Sequence, residues 1–257
     1  MTFAITDDQR AMDAGLTPFL ARLATDGSPG WQTAIEAFGL EGLGRSVETG
    51  GLGTGTREAA IVARALGQAG ICLPWAEHWV AARLGACVAD AGPLATSAAH
   101  VTNQARQQQR SGWAEDALAI VHCAEMSGLC ETLLADTVAF SKERRQFGVT
   151  IASFQVLRHR MVDMRLALEQ AIAMAGYAID LIDHDDDEAR RKAVSAARVL
   201  CEDAIRIVGG GAVQIHGAMG LTEELRIGRL FRRASSLAQG DGTGRAHLRR
   251  YAGLMVS

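Results

Sequence analysis

Residues 113–142 read WAEDALAIVHCAEMSGLCETLLADTVAFSK. Leu118, Ile120, Val121, Met126, Leu129, Leu133, Leu134, Val138 and Phe140 carry the apolar content of this stretch. A strand ends after four to eight residues, whereas an apolar pattern this long is helical. One long helix is therefore expected from Trp113 to Lys142. Downstream, the same periodicity predicts helices over about 151–182, 189–216, 222–236 and 242–255. Five or six helices joined by short loops make a bundle. No convincing strand is found anywhere in the chain, so the fold class is all-α.

Upstream of Trp113, residues 93–112 (PLATSAAHVTNQARQQQRSG) are polar with little periodicity and read as a linker. This divides the chain into residues 1–92, an N-terminal helical domain, 93–112, a linker, and 113–257, a C-terminal bundle. In the first part, Thr6 and Gln9 form a capping box, each side chain serving the other's backbone donor. Ala11, Gly15, Leu16, Phe19, Leu20 and Leu23 follow at helical spacing. The run Asp26-Gly27-Ser28-Pro29-Gly30 breaks that helix, and further helices are expected over about 31–38, 57–70 and 76–91. Gly51-Leu52-Gly53-Thr54-Gly55 has no strand before it and no lysine after it, so a phosphate loop is a weak reading.

The composition narrows the function. The net charge of −3 argues against a nucleic-acid partner. No apolar run approaches the length needed to span a bilayer. The acidic N-terminus lacks a signal peptide's basic start, and a cytoplasmic location is expected. Five cysteines without a C-x-x-C pair indicate neither a disulfide framework nor a zinc site. They read as small buried side chains. The acidic run Asp183–Glu188, with His184, lacks the spacing of a calcium loop and reads as a solvated turn.

Two strings carry a family resemblance. Ser141-Lys142-Glu143-Arg144-Arg145-Gln146-Phe147-Gly148-Val149-Thr150-Ile151-Ala152-Ser153-Phe154-Gln155 resembles the acyl-CoA dehydrogenase pattern E-R-x-x-F-G-x-x-I-x-x-F/H-Q. Gln214-Ile215-His216-Gly217-Ala218-Met219-Gly220-Leu221-Thr222-Glu223-Glu224 is similar to that family's Q-x-x-G-G-x-G-[YF]-x-x-E. Arg229, Arg232 and Ala234 continue the match in R-x-x-R-D-A, and Gly240-Asp241-Gly242-Thr243 falls on Y-E-G-T. Residues 6–92, including Val47-Glu48-Thr49-Gly50-Gly51-Leu52-Gly53, are similar to the family's N-terminal helices. Departures are Arg233 for an Asp, Ala218 for a Gly, and Gly240 for a Tyr.

In that family a β domain lies between the two helical regions and holds the flavin ring. Such a domain takes about 100 residues, and the linker is far too short to contain one. The resemblance then implies a shared FAD, its nucleotide end reaching the C-terminal helices of the neighbouring subunit. Arg144 and Gln146 would meet the pyrophosphate, Phe147 would pack beside it, Gln155 would face the adenine, and Gln214 and Gly217 would allow close backbone approach. The implied partner is a full-length acyl-CoA dehydrogenase-like subunit, with one flavin per pair and an acyl-CoA as substrate. Some steroid-degrading members pair unlike subunits in this way. Asp241 stands where the family places its general base, one methylene shorter than the usual glutamate; an N-cap carboxylate for the last helix is the other reading. A non-catalytic subunit and a non-redox acyl-CoA enzyme, a hydratase or cyclase, remain as alternatives.

Overall fold

The computed structural model describes residues 6–25, 39–53, 55–85, 98–217, 220, 225–240 and 242–256. Among them the chain forms α1 (Asp7–Thr25), α2 (Thr56–Ala69), α3 (Trp75–Arg83), α4 (Ala98–Gln107), α5 (Ser111–Glu143), α6 (Gln155–Leu181), α7 (Asp187–Ala204), α8 (Gly210–His216), α9 (Arg226–Gln239) and α10 (Gly244–Val256). A π-helical turn, Ile205–Gly209, joins α7 to α8. The all-α expectation holds with one correction. Two-residue strands β1 (Arg145–Gln146) and β2 (Val149–Thr150) pair antiparallel between α5 and α6.

Most helices lie within a few residues of their expected bounds, and the exceptions are instructive. α3 ends at Arg83, short of the expected 91, with Gly85 in the left-handed region. Residues 98–107, expected as linker, are helical; Val101 and Ala105, buried in the core, are the two apolar anchors that hold them. The expected helix at 31–38, Cys87 and residues 86–97 lie outside the described residues. The Thr6–Gln9 capping box forms, with reciprocal bonds of 3.0 and 3.2 Å.

α5 is the axis of the molecule. At 33 residues it is about 50 Å long, and residues 116–130 are buried on every face. By length and composition it contains a window able to cross a bilayer, which the sequence reading had not found. However, 89% of that window is buried inside the protein, as befits a helix that is apolar all round. The core that encloses it is continuous from Leu16 and Leu20 of α1 to Leu237 of α9.

Three carboxylates along α5 each hold arginines from other helices. Asp116, 1% exposed, is bonded by Arg190 of α7 at 3.1 Å and Arg250 of α10 at 2.6 Å. Glu125 receives Arg233 of α9 at 2.7 and 3.1 Å. Glu131 receives Arg64 of α2 at 2.6 and 2.9 Å. Removing an arginine from the buried Asp116 or Glu125 strands the carboxylate, at about 3–5 kcal/mol, whereas the Arg64–Glu131 pair is partly exposed.

α2 lies against α5 backbone to backbone. A Cβ on Gly67 would intrude on the Glu125 carbonyl oxygen, and one on Gly128 on the Arg64 carbonyl oxygen. Two glycines facing each other at one crossing bring the N-terminal helices directly onto the axis of the bundle. Nearby, Trp75 is buried with its Nε1 donating to the Ala59 carbonyl at 2.8 Å. It stacks on His78 at 5.7 Å. Arg83 and Arg110 lie over the Trp113 ring at 5.6 and 4.2 Å, closing the seam between α3 and the start of α5.

The triple Gly209-Gly210-Gly211 divides by position. A Cβ at Gly209 would meet the Phe231 ring and one at Gly211 would meet Met164, whereas Gly210 faces open space. Close helix approach therefore requires glycine at the outer two. The acidic turn is spent locally: Asp183 bonds Arg83 at 2.6 Å and Thr56 at 2.9 Å, and Asp186 caps α7 through the Ala189 amide at 2.9 Å. Cys123, Cys130 and Cys201 are buried as expected, and Cys72 is exposed.

Two stability predictions follow from this packing. Gly128→Ala should lower the free energy of unfolding in urea by about 2–3 kcal/mol through overpacking. Gly210→Ala, in open space on an exposed helical face, should leave it unchanged or raise it by about 0.5–1 kcal/mol. The second concerns His78, whose pKa burial depresses to about 4, with Arg45 adding to the effect. The folded chain favours the neutral ring, so this stabilisation is complete above the unfolded value of about 6.5 and is lost as pH falls toward 4. Wild-type stability should decline by about 3 kcal/mol over that window from this group alone. In His78→Gln, that limb of the pH–stability curve should flatten.

Candidate functional site

The string from Ser141 to Gln155 folds as a capped helix end, a hairpin and a helix start. The Arg144 amide closes the last turn of α5 on the Phe140 carbonyl at 2.8 Å, and the Ile151 amide returns to the Arg144 carbonyl at 2.8 Å. Between them Arg145 pairs with Thr150 and Gln146 with Val149. The two-residue tip is Phe147-Gly148, at φ of 50° and 82°. A turn with both central residues at positive φ matches the twist of the strands it joins. Glycine adopts that angle freely, whereas phenylalanine pays a steric cost there.

Phe147 is also 91% exposed. Its ring meets the edge of the Phe154 ring, with centroids 6.2 Å apart. A strained, solvent-facing aromatic held out on a hairpin is a feature the fold itself does not need. Arg144 and Gln146 flank it, both exposed, and neither side chain hydrogen-bonds a described residue. Gln155 opens α6 on the same segment and lies 3.4 Å from the His159 ring nitrogen.

The second string meets the last turns of α5, just ahead of the first string, through an aromatic stack. His216, at the end of α8, lies 4.2 Å from Phe140 in stacked geometry and contacts the Ala212 carbonyl at 2.9 Å. This brings Gln214 and Gly217 to the end of α5 from which the hairpin springs. Gln214 is exposed. Gly217 has φ 70° and ψ −153°, a region reserved to glycine, and a Cβ there would meet nothing within 4 Å. Its backbone angles therefore require the glycine, and the space beside it is open.

Asp241 lies outside the described residues, but both of its flanks are held. Arg198 of α7, fully buried, donates to the Leu237 carbonyl at 2.6 Å, the Ala238 carbonyl at 3.3 Å and the Gly240 carbonyl at 2.5 Å. It thereby satisfies the orphan carbonyls at the end of α9. One turn further along α7, Glu202 accepts from the Gly244 amide at the start of α10. One face of α7 thus grips both ends of the segment 240–244. Arg198 and Glu202 escaped sequence reading because an i, i+4 pair on a helix is ordinarily a surface ion pair.

Beneath Gly240 lies a cavity of about 410 Å³ lined in part by Cys72, Glu77, His122, Arg233 and Ser236. Glu77 and His122 approach at 3.7 Å. Burial pushes the Glu125 carboxyl above the ordinary range, while the Arg233 guanidinium pulls it back. The one sequence signal for this cluster was Arg233 standing where the family has an acid; its complement, Glu125, is 108 residues away.

A family model described as the C-terminal domain of acyl-CoA dehydrogenase matches residues 113–253, more than half of the chain. Acyl-CoA dehydrogenase IpdE2 of Mycolicibacterium smegmatis is 39% identical over 137 residues, covering 52% of this chain and 41% of that protein. The matched region therefore spans under half the length of that relative. Among solved structures, the ChsE4–ChsE5 complex from Mycobacterium tuberculosis superposes with a TM-score of 0.82 at 16% identity, over 100% of this chain and 99% of the other. The Tcur3481–Tcur3483 steroid acyl-CoA dehydrogenase variant superposes with a TM-score of 0.80 at 14% identity, over 96% of this chain and 98% of the other. At these identities the superpositions speak to fold, and they agree with the two sequence strings. The chain belongs to the acyl-CoA dehydrogenase family, and its described residues are nearly all helical, with no β domain among them.

Proposed function

We propose that this chain is one subunit of a heteromeric FAD-dependent acyl-CoA dehydrogenase, completing the flavin site of a full-length partner. The observation that carries this reading is the hairpin end of α5. Arg144, Gln146 and Gln214 present side chains with no hydrogen-bonding partner among the described residues, around a Phe147 turned out to solvent. A guanidinium and two amides suit pyrophosphate oxygens, and the open space at Gly217 suits close backbone approach. Gln155, at the start of α6, would meet the adenine end. These groups fit the nucleotide half of FAD. The two-strand hairpin is the whole of the described β structure, which supports assigning the ring-holding half to the partner.

ChsE4–ChsE5 and Tcur3481–Tcur3483 are assemblies of two differently named chains, and IpdE2 is an acyl-CoA dehydrogenase. Those likenesses favour an unlike partner and a CoA thioester substrate. Bound FAD supplies the acceptor for the hydride that leaves the β-carbon. For this chain we assign Asp241 the α-proton, with Arg198 and Glu202 fixing the loop that carries it. Fixing that loop matters because a displacement of about 1 Å can cost about 100-fold in a positioned step. A subunit that only shapes its partner is the competing reading, and Asp241→Asn separates the two: unchanged turnover in the assembled complex would remove Asp241 from the chemistry.

Tagged and purified from its source cells, the chain should bring with it a full-length acyl-CoA dehydrogenase subunit and FAD. In that complex Arg144→Ala should weaken flavin retention by about 10-fold or more, the scale of a lost charge-assisted bond of about 1.5–3 kcal/mol. Full flavin occupancy after dialysis of the variant would remove Arg144 from the site. Separately, Arg198→Met should expose the carbonyls of residues 237–240 and cost about 2–4 kcal/mol of stability. Hydrogen exchange should then accelerate at the amides of residues 242–246 while those of α5 remain protected.

A further inference from the structure

Packing does not exhaust the polar atoms of His216. Its ring stacks on Phe140 with centroids 4.2 Å apart and planes 23° from parallel. Its Nδ1 lies 2.9 Å from the Ala212 carbonyl oxygen. A carbonyl oxygen only accepts, so Nδ1 carries a proton and donates it. Resting on the flavin reading above, we infer that Nε2, the other ring nitrogen, binds a hydroxyl of the adenosine ribose of FAD.

The ring stands among the groups assigned to the nucleotide. Phe140 belongs to the turn of α5 that the Arg144 amide closes, at 2.8 Å from the Phe140 carbonyl. His216 follows Gln214 in the last turn of α8 and directly precedes Gly217, where the space beside the backbone is open. It is partly exposed. Its Nε2 is not one of the buried polar atoms that lack a partner, and it bonds no described residue. That nitrogen therefore reaches the surface. Helix capping accounts for Nδ1 alone, since a histidine in the last turn can satisfy a carbonyl there without a stack and without its second nitrogen. Here the Phe140 stack fixes the plane of the ring and the Ala212 bond fixes its direction. Nε2 is thus oriented before a ligand arrives, which lowers the ordering cost of binding.

The choice of a ribose hydroxyl follows from what Nε2 can do. In a neutral imidazole it accepts a hydrogen bond, and in a charged one it donates. Pyrophosphate oxygens only accept and would need the charged ring. The adenine amino group donates and would need the neutral one. A hydroxyl both donates and accepts, so it pairs with Nε2 in either state. The sugar is also the element of FAD that joins the pyrophosphate, assigned to Arg144 and Gln146, to the adenine, assigned to Gln155.

Flavin exchange into the complex purified with its native partner tests this. The complex is incubated with FAD and, in equal concentration, an analogue carrying 2′-deoxyribose, 3′-deoxyribose or hypoxanthine in the adenosine half. The bound share of each is read by chromatography after washing and denaturation. The wild type should prefer FAD over one of the two deoxy forms by about 3- to 10-fold, the scale of one hydrogen bond. Two variants remove Nε2 while each keeps one of the restraints on the ring: His216→Phe retains an aromatic against Phe140, and His216→Asn retains a donor near the Nδ1 position. Both should erase that preference, whereas a residue that only capped or packed would leave the ratio unmoved. No preference in the wild type, a preference that survives in either variant, or loss in the variants of discrimination against the hypoxanthine form alone each overturns the assignment of His216 and leaves the flavin reading standing. A complex that takes up no FAD overturns the flavin reading itself, and this inference with it.

Discussion

The crossing of α2 on α5 at Gly67 and Gly128 is the constraint from which the rest of the architecture follows. Without side chains at those two positions, each helix lies against the other's backbone carbonyls, and the Arg64–Glu131 pair then locks the register. The N-terminal helices consequently dock on the axis of the C-terminal bundle without a domain between them. A larger residue at either glycine would push the two regions apart and open the core that surrounds α5.

With that axis fixed, α5 sorts the molecule into different chemical environments along its length. Its buried portion carries Asp116 and Glu125, whose arginine partners come from α7, α9 and α10. Its far end emerges into solvent and turns through Phe147-Gly148 into a hairpin that buries nothing of its own. Energetically these are opposite solutions. The buried acids are retained because removing one partner would be expensive. The exposed hairpin keeps Phe147 at an unfavourable φ and almost fully solvated, which makes sense when another molecule covers it. The cavity beneath Gly240 lies between these extremes, with Leu73 and Leu237 beside Glu77, His122 and Arg233 on its walls.

What the sequence revealed depended on how local each signal was. The Thr6–Gln9 capping box spans four residues and formed as read. α5 was legible because an apolar run of that length has few other solutions. Residues 98–107 escaped because two buried side chains, Val101 and Ala105, suffice to anchor a helix whose remaining residues look like linker. The strands of the hairpin at 145–150 escaped because nothing local announces a phenylalanine at positive φ. Arg144, Gln146, Phe147, Gln155, Gln214 and Gly217, which we propose face the nucleotide, were recognisable through family resemblance alone, since each is an unremarkable surface residue by composition. The Glu77, His122, Glu125 and Arg233 cluster was invisible in the chain because its members come from three separate helices. Arg198 was equally hidden: a buried arginine whose partners are main-chain carbonyls leaves no trace in side-chain pattern.

The central claim is that this polypeptide holds the nucleotide end of a flavin whose ring belongs elsewhere. Titration of the isolated chain with FAD, followed by absorbance and by calorimetry, addresses it most directly. The account predicts no stoichiometric flavin binding by the chain alone, and no bleaching of added flavin by a CoA thioester. Tight one-to-one binding with thioester-dependent reduction, in the absence of any second subunit, would contradict it.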